Sequence, residues 1–187
     1  QTMNPVALEM AKRHNIKPEA YLALQRGMNE QGVASFIELI WPLPGETLES
    51  FKQGVDDLCR MGAQSFGIYP LLWLPNVGYE EKIDELGVIT LEEADPVGGG
   101  RIVIQTNEVS HEDWVHGMVF TNAVMWLYDC RGLFHTTGLL NALGIESHRN
   151  VFDRFVTFME SAPKGGATDL WREGQENFEE MYKNTWR

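Results

Sequence analysis

The sequence predicts an α/β fold built on a parallel strand pair, followed by a helical last part. Three observations carry this. Two apolar segments of strand length, Ala34 to Trp41 and Gln64 to Leu71, each stop at a turn rich in proline or glycine. One amphipathic segment lies between them, so the two strands run parallel across a right-handed crossover. From about Ser110 onward the apolar residues recur at helical spacing.

Taken in order, Asn4-Pro5 opens the first helix, since Asn suits an N-cap and Pro the first turn. Val6, Leu8, Met10 and Ala11 give that helix an apolar face that ends near His14-Asn15. Pro18 starts a second helix with Ala20, Tyr21, Leu24 and Met28 along one side, and Gly32 stops it. The strand Ala34 to Trp41 then meets the turn Pro42-Leu-Pro-Gly45. Thr47 caps the next helix, which buries Phe51, Val55 and Leu58 and ends at Gly62. Ser50 stands where a capping box has Glu or Gln, so the full box is not expected. The strand Gln64 to Leu71 follows.

After Pro75 the pattern weakens. Tyr79 to Leu86 reads as a short acidic helix, Ala94 to Gly100 as a flexible loop, and Arg101 to Gln105, β-branched, as a strand. Ser110 caps a long helix, about Glu112 to Cys130, whose face carries Trp114, Val115, Met118, Val119, Ala123, Met125 and Trp126. Three more helices are expected, about Leu133 to Leu143, Ser147 to Ser161 and Thr168 to Thr185. We place a boundary near residue 108, with residues 1–108 holding the strands and 109–187 the helical region.

Composition narrows the class. The 187 residues, 43% apolar and 22% charged, suit a folded domain with one good core. No run of 18 uncharged apolar residues exists, so no membrane span is expected. No signal peptide is visible. The chain begins with Gln in the middle of an α/β pattern and reads as a piece of a larger protein. A net charge of −12 without a basic stripe argues against nucleic acid as a partner. Cys59 and Cys130, far apart and in no C-x-x-C, suit a reducing cytoplasm. The five histidines show no metal-binding spacing, and no metal site is expected.

Four segments carry candidate chemistry. On the first strand, alternation puts Phe36, Glu38 and Ile40 on one face and Ile37, Leu39 and Trp41 on the other. Parallel sheets are covered on both faces, so Glu38 is expected to be buried and paired with a cation, a hydroxyl or a ligand. A structural ion pair answers that need as well as a site does. The Leu43-Pro-Gly-Glu-Thr47 turn offers backbone N–H groups at a helix N-terminus to a polar or anionic ligand group. Glu46 there suits the helix dipole and needs no function. Tyr69-Pro-Leu-Leu-Trp-Leu-Pro75 could support a flat apolar ligand such as adenine, or be a tight strand exit packed by Trp73. The aromatic-rich helical half, from Trp114 through Phe152 and Trp171 to Phe178, Tyr182 and Trp186, has the spacing of core faces. A pocket between helices is its sharper alternative. His135 reads as a core histidine before a site histidine.

Gln1-Thr-Met-Asn-Pro, the helix pair, Glu38-Leu-Ile-Trp-Pro-Leu-Pro-Gly-Glu-Thr47 and Tyr69 to Pro75 follow one another in an order that resembles the second half of a radical SAM core. More narrowly, the chain resembles radical SAM proteins that carry a cobalamin-binding domain. The likeness covers roughly residues 1–90. It implies the second half of a partial (β/α)6 TIM-like barrel, strands four to six, followed by a C-terminal helical region. It places Gln1 and Thr2 at the end of the fourth strand, near the methionine and ribose of S-adenosylmethionine. Ile40 on the fifth strand and Tyr69 to Leu71 on the sixth would flank the adenine, with Glu38 pointing into the barrel. The family commonly has Gly where this chain has Pro42, and a Pro-Gly-Thr-like turn where it has Pro75-Asn-Val.

The family's C-x-x-x-C-x-x-C motif, which holds a [4Fe–4S] cluster, is not in this chain. The resemblance therefore implies a portion of a cobalamin-dependent enzyme that transfers a methyl group to an unactivated centre of a small-molecule substrate. The portion would be inactive alone and would depend on the remainder of the same polypeptide for the cluster and cobalamin ligands. No catalytic residue can be assigned from the sequence. The competing expectations are a radical SAM reaction of another type, such as cyclisation or rearrangement, and a non-catalytic α/β-helical binding module.

Overall fold

The structure, a computed structural model, describes residues 1–75, 80–91 and 100–176. Asn4 caps α1 (Pro5–Met10) by accepting the Val6 and Ala7 N–H groups. This helix stops earlier than its apolar face suggests, because the chain turns at Lys12 with φ 51°. Helix α2 (Pro18–Glu30) ends at Gly32, whose φ of 66° suits a residue without a side chain.

Strand β1 (Ile37–Trp41), helix α3 (Leu48–Arg60) and strand β2 (Phe66–Pro70) form the expected β-α-β unit. The strands are parallel, with Glu38 opposite Gly67, Ile40 opposite Tyr69 and Trp41 opposite Pro70. The α/β class is thus borne out, in a parallel sheet of these two strands. The capping box of α3 is present after all. Ser50 N–H donates to Thr47 Oγ1 at 3.1 Å, and Thr47 N–H donates to Ser50 Oγ at 2.9 Å. The serine hydroxyl reaches the same donor that a longer Glu or Gln side chain would.

Beyond β2 the chain makes a second, antiparallel sheet. Strand β3 (Leu72–Trp73) pairs with β5 (Arg101–Gln105), and β5 pairs with β4 (Ile89–Thr90). The helix expected over Tyr79 to Leu86 is only a 3-10 turn, Glu80–Lys82, followed by turns, and Tyr79 lies outside the described residues. Of the expected loop Ala94 to Gly100, residues 94–99 also lie outside them.

Four helices complete the described chain: α4 (His111–Val124), α5 (Phe134–Ala142), α6 (His148–Ser161) and α7 (Ala167–Glu176). The helix expected to continue to Cys130 widens into a π turn over Met125–Asp129, which leaves Met125 44% exposed. Residues 177–187, with Phe178, Tyr182 and Trp186, lie outside the described residues.

The core sits between one face of β1 and β2 and the helices. Trp41, fully buried, stacks on Phe51 of α3 at 4.6 Å, and Phe51 meets Phe120 of α4 edge-on at 6.2 Å. Gly117 of α4 is required there, since a Cβ would run into the Trp41 indole. Phe152 and Trp171 extend the aromatic core, as the helical spacing predicts. His135 is exposed; the buried histidine is His148, beside Asp56.

Polar clamps join the helices to the strands. Tyr128 Oη donates to the Ala63 carbonyl at 2.6 Å, and Asp129 Oδ1 accepts the Phe66 N–H at 2.9 Å. Both lie on the π turn, at the start of β2. Asp56 Oδ1 accepts the Arg149 N–H at 3.0 Å, and Arg149 pairs with Glu49 through both guanidinium arms. No helix among the described residues is long and apolar enough to cross a membrane.

Candidate functional site

The two faces of the parallel pair have different fates. Leu39, Trp41, Phe66 and Pro70 point into the core. Phe36, Glu38, Ile40, Gly67 and Tyr69 make up the opposite face, which no described element covers. Phe36 is 63% and Tyr69 45% exposed. The expectation that Glu38 is buried and paired is therefore overturned. Its carboxylate is exposed on the open face, where water solvates it and no partner is required. The prediction went wrong because it assumed a sheet covered on both sides.

Ile40 and Tyr69 are register partners on this face. Gln1 joins them, because its carbonyl accepts the Ile40 N–H at 2.9 Å. Residue 1 thus lies alongside β1 as an adjacent strand would. Tyr69 lies back along its own strand, and a Cβ on Gly67 would come within 3.0 Å of Tyr69 Cε2. Leu71 sits just past the strand end, its N–H on the Trp41 carbonyl and its carbonyl accepting the Val103 N–H. The residues singled out from sequence therefore meet in one row, Gln1, Ile40 and Tyr69, with Glu38 one step back and Leu71 beyond.

Thr2 points away from that row. It is 3% exposed, and its Oγ1 donates to Glu46 Oε1 at 2.5 Å. Glu46 is 1% exposed, and its Oε2 has no hydrogen-bond partner. Burial pushes its carboxyl up to about 7, against the opposing pull of the Thr2 hydroxyl. Glu46 was expected to suit the helix dipole and to need no function. It is instead a buried acid that joins the first residues to the β1–α3 turn. Nothing in the local pattern marks it, since the residue before an N-cap ordinarily faces water.

Of the turn's N–H groups expected to serve a ligand, three have partners within the chain. Gly45 N–H donates to Glu108 Oε2 at 3.1 Å, Glu46 N–H to the Leu43 carbonyl at 3.0 Å, and Thr47 N–H to Ser50. Asn4 Nδ2 holds the Gly45 carbonyl at 3.1 Å. Three stretches of chain thus converge on this turn, and the Gly45, Glu46 and Thr47 N–H groups are already used. Glu108, far off in sequence, was not foreseen.

Among the described residues no group of three or more His, Cys, Asp or Glu is placed to bind a metal. Cys59 is buried, with its thiol pushed up by burial, while Cys130 is exposed. Two such thiols do not fit an iron–sulfur cluster. The open sheet face, with Phe36, Ile40 and Tyr69 on it beside the Glu38 carboxylate, offers apolar surface on which a flat heterocycle fits.

No family model matches the chain. Two curated proteins do share sequence with it. The cobalamin-dependent radical SAM methyltransferase TokK of Streptomyces tokunonensis is 29% identical over 142 residues, which is 69% of this chain and 21% of that protein. The 2-(S-pantetheinyl)-carbapenam-3-carboxylate methyltransferase of Streptantibioticus cattleyicolor is 30% identical over 138 residues, or 65% of this chain and 20% of that protein. The chain is similar to methyltransferases, one of them a cobalamin-dependent radical SAM enzyme. It spans about a fifth of the length of these relatives.

Proposed function

We propose that this chain is one portion of a cobalamin-dependent radical SAM enzyme that methylates an unactivated centre of a small molecule. In this reading β1 and β2 are the fifth and sixth strands of a partial (β/α)6 barrel, and Gln1-Thr2 is the end of the fourth. Residues 1–108 belong to the core, and 109–187 form the C-terminal helical region. The observation that carries the reading is the row of Gln1, Ile40 and Tyr69 at the C-terminal ends of parallel strands, where such folds keep their sites. The similarity to two methyltransferases supports it.

The cofactors supply the radical and methyl chemistry when bound in the whole enzyme. The residues of this chain supply shape and placement. Ile40, Tyr69 and Leu71 give the adenine of S-adenosylmethionine an apolar surface. Gln1, held by the Ile40 N–H, borders its ribose and methionine, and Thr2, turned inward to Glu46, fixes the backbone beside them. Glu38 faces the barrel interior. The rest of the same polypeptide carries the cysteines of the [4Fe–4S] cluster and the cobalamin site. Free thiols and a cluster suit a cytoplasmic enzyme.

The test is turnover by the full-length protein with its cluster reconstituted and cobalamin supplied. Formation of 5′-deoxyadenosine together with a methylated product is the expected result. Deoxyadenosine with a rearranged or cyclised product would keep the radical chemistry and replace the methyl transfer. Absence of S-adenosylmethionine binding with an intact cluster would leave a non-catalytic binding module.

A further inference from the structure

Cations are outnumbered in this chain, 15 against 27 acids. Lys52, Arg60, Lys82, Arg149 and Arg154 each stand within ion-pair distance of a carboxylate. Other described cations, Arg26 and Lys164 among them, have no such carboxylate, and the segment between α1 and α2 is where such groups stand in a row. Lys12, Arg13 and His14 are consecutive and exposed, and they line one cavity of about 610 Å³. Among the described residues none of the three has an ion-pair partner, although Glu9 borders the same cavity.

The end of α1 does not use these charges. The Lys12 and Arg13 N–H groups already meet the Glu9 and Leu8 carbonyls at 2.9 and 2.8 Å. The segment is also held at a particular place. The chain leaves β1's side at the level of Ile40, and α1 packs on the β1–α3 turn, where a Cβ on Gly45 would approach Val6 Cγ1 to 3.1 Å. Asn15 Nδ2 then donates to the Thr2 carbonyl at 2.8 Å and returns the segment to the strand end. Lys12, Arg13 and His14 thus stand side by side where the chain turns between α1 and Asn15, beside a cavity lined by residues 5–15.

We propose that Lys12, Arg13 and His14 bind an anionic oxygen group, a carboxylate or a phosphate, borne by a small molecule that enters the cavity they line between α1 and Asn15. The Arg13 guanidinium offers paired donors to such a group, and Lys12 and His14 add charge and a further donor. The net negative charge of the chain disfavours anions in general, so binding at this spot rests on these three neighbouring groups. The inference goes beyond the methyltransferase reading and needs no cofactor to be tested.

The test titrates this chain with inorganic phosphate and, separately, with acetate, ionic strength being held constant with chloride. Backbone amide shifts of residues 12–15 are followed. Saturable shifts are expected, at least about tenfold weaker in the Lys12→Ala/Arg13→Ala double variant and unchanged in Arg26→Ala. Saturation by phosphate alone assigns a phosphate-bearing ligand, and saturation by acetate assigns a carboxylate. Shifts that never saturate, or that persist in the double variant with an unchanged melting temperature, overturn the proposal.

Discussion

Thr2 and Glu46, 44 positions apart in sequence, share a 2.5 Å hydrogen bond in a site closed to water. The bond ties the strand-like first residues to the turn that launches α3. Because Gln1 is held by the Ile40 N–H, this buried acid also sets where Gln1 lies on the open face.

Glu46 should make stability fall as pH rises. Its carboxyl is pushed up to about 7 in the folded chain from an ordinary value of 4.5. The folded form therefore keeps a proton that the unfolded chain gives up. The contribution is whole below the unfolded value and is lost as pH climbs through 7, at a cost of about 3 kcal/mol. Urea unfolding at pH 5 and pH 8 measures it. Glu46→Gln, which keeps the acceptor for Thr2, should flatten the profile; equal slopes in the two proteins would refute the assignment.

Gly117→Ala should destabilise by about 1–3 kcal/mol, since the added methyl meets the buried Trp41 indole. The neighbouring Phe51 stack leaves the indole no free direction to move. Thermal melting checks this, and a variant as stable as the parent would show that the α4 contact is looser than described.

Asp129→Ala should cost about 1–3 kcal/mol by leaving the Phe66 N–H without its acceptor at the start of β2. Asp129→Asn keeps an oxygen acceptor and should cost less. Hydrogen exchange at the Phe66 amide reads the bond directly, with faster exchange expected in the alanine variant.

Glu38→Gln should leave stability within about 0.5 kcal/mol of the parent, because the carboxylate is solvated. A larger loss in a denaturant titration would mean that Glu38 has a hidden partner.

Tyr69→Ala in the full-length protein should weaken S-adenosylmethionine binding by about tenfold, the worth of one ring contact. Calorimetry on the reconstituted protein measures it, and unchanged affinity would remove Tyr69 from the proposed adenine surface.

Much of the architecture was legible because it is local. The strand around Leu39, the amphipathic spacing of Phe51, Val55 and Leu58, and the caps at Asn4, Thr47 and Ser110 are short-range patterns, and all appear in the structure. Of the candidate residues, Gln1, Ile40 and Tyr69 do meet. Glu38 was misjudged because burial of a strand face depends on what packs over it, which alternation does not state. Glu46 and Glu108 were missed because their roles arise from partners 44 and 63 residues away.

By itself the sequence determined the order and type of the elements and which stripe of each is apolar, since these follow from periodicity and backbone preference among near neighbours. Only the tertiary structure decided which face of the strand pair stays open, which acid is sealed from water, and which cations stand without partners. Those outcomes depend on solvent exclusion and charge at distances set by the packed chain, and segments remote in sequence bring them about.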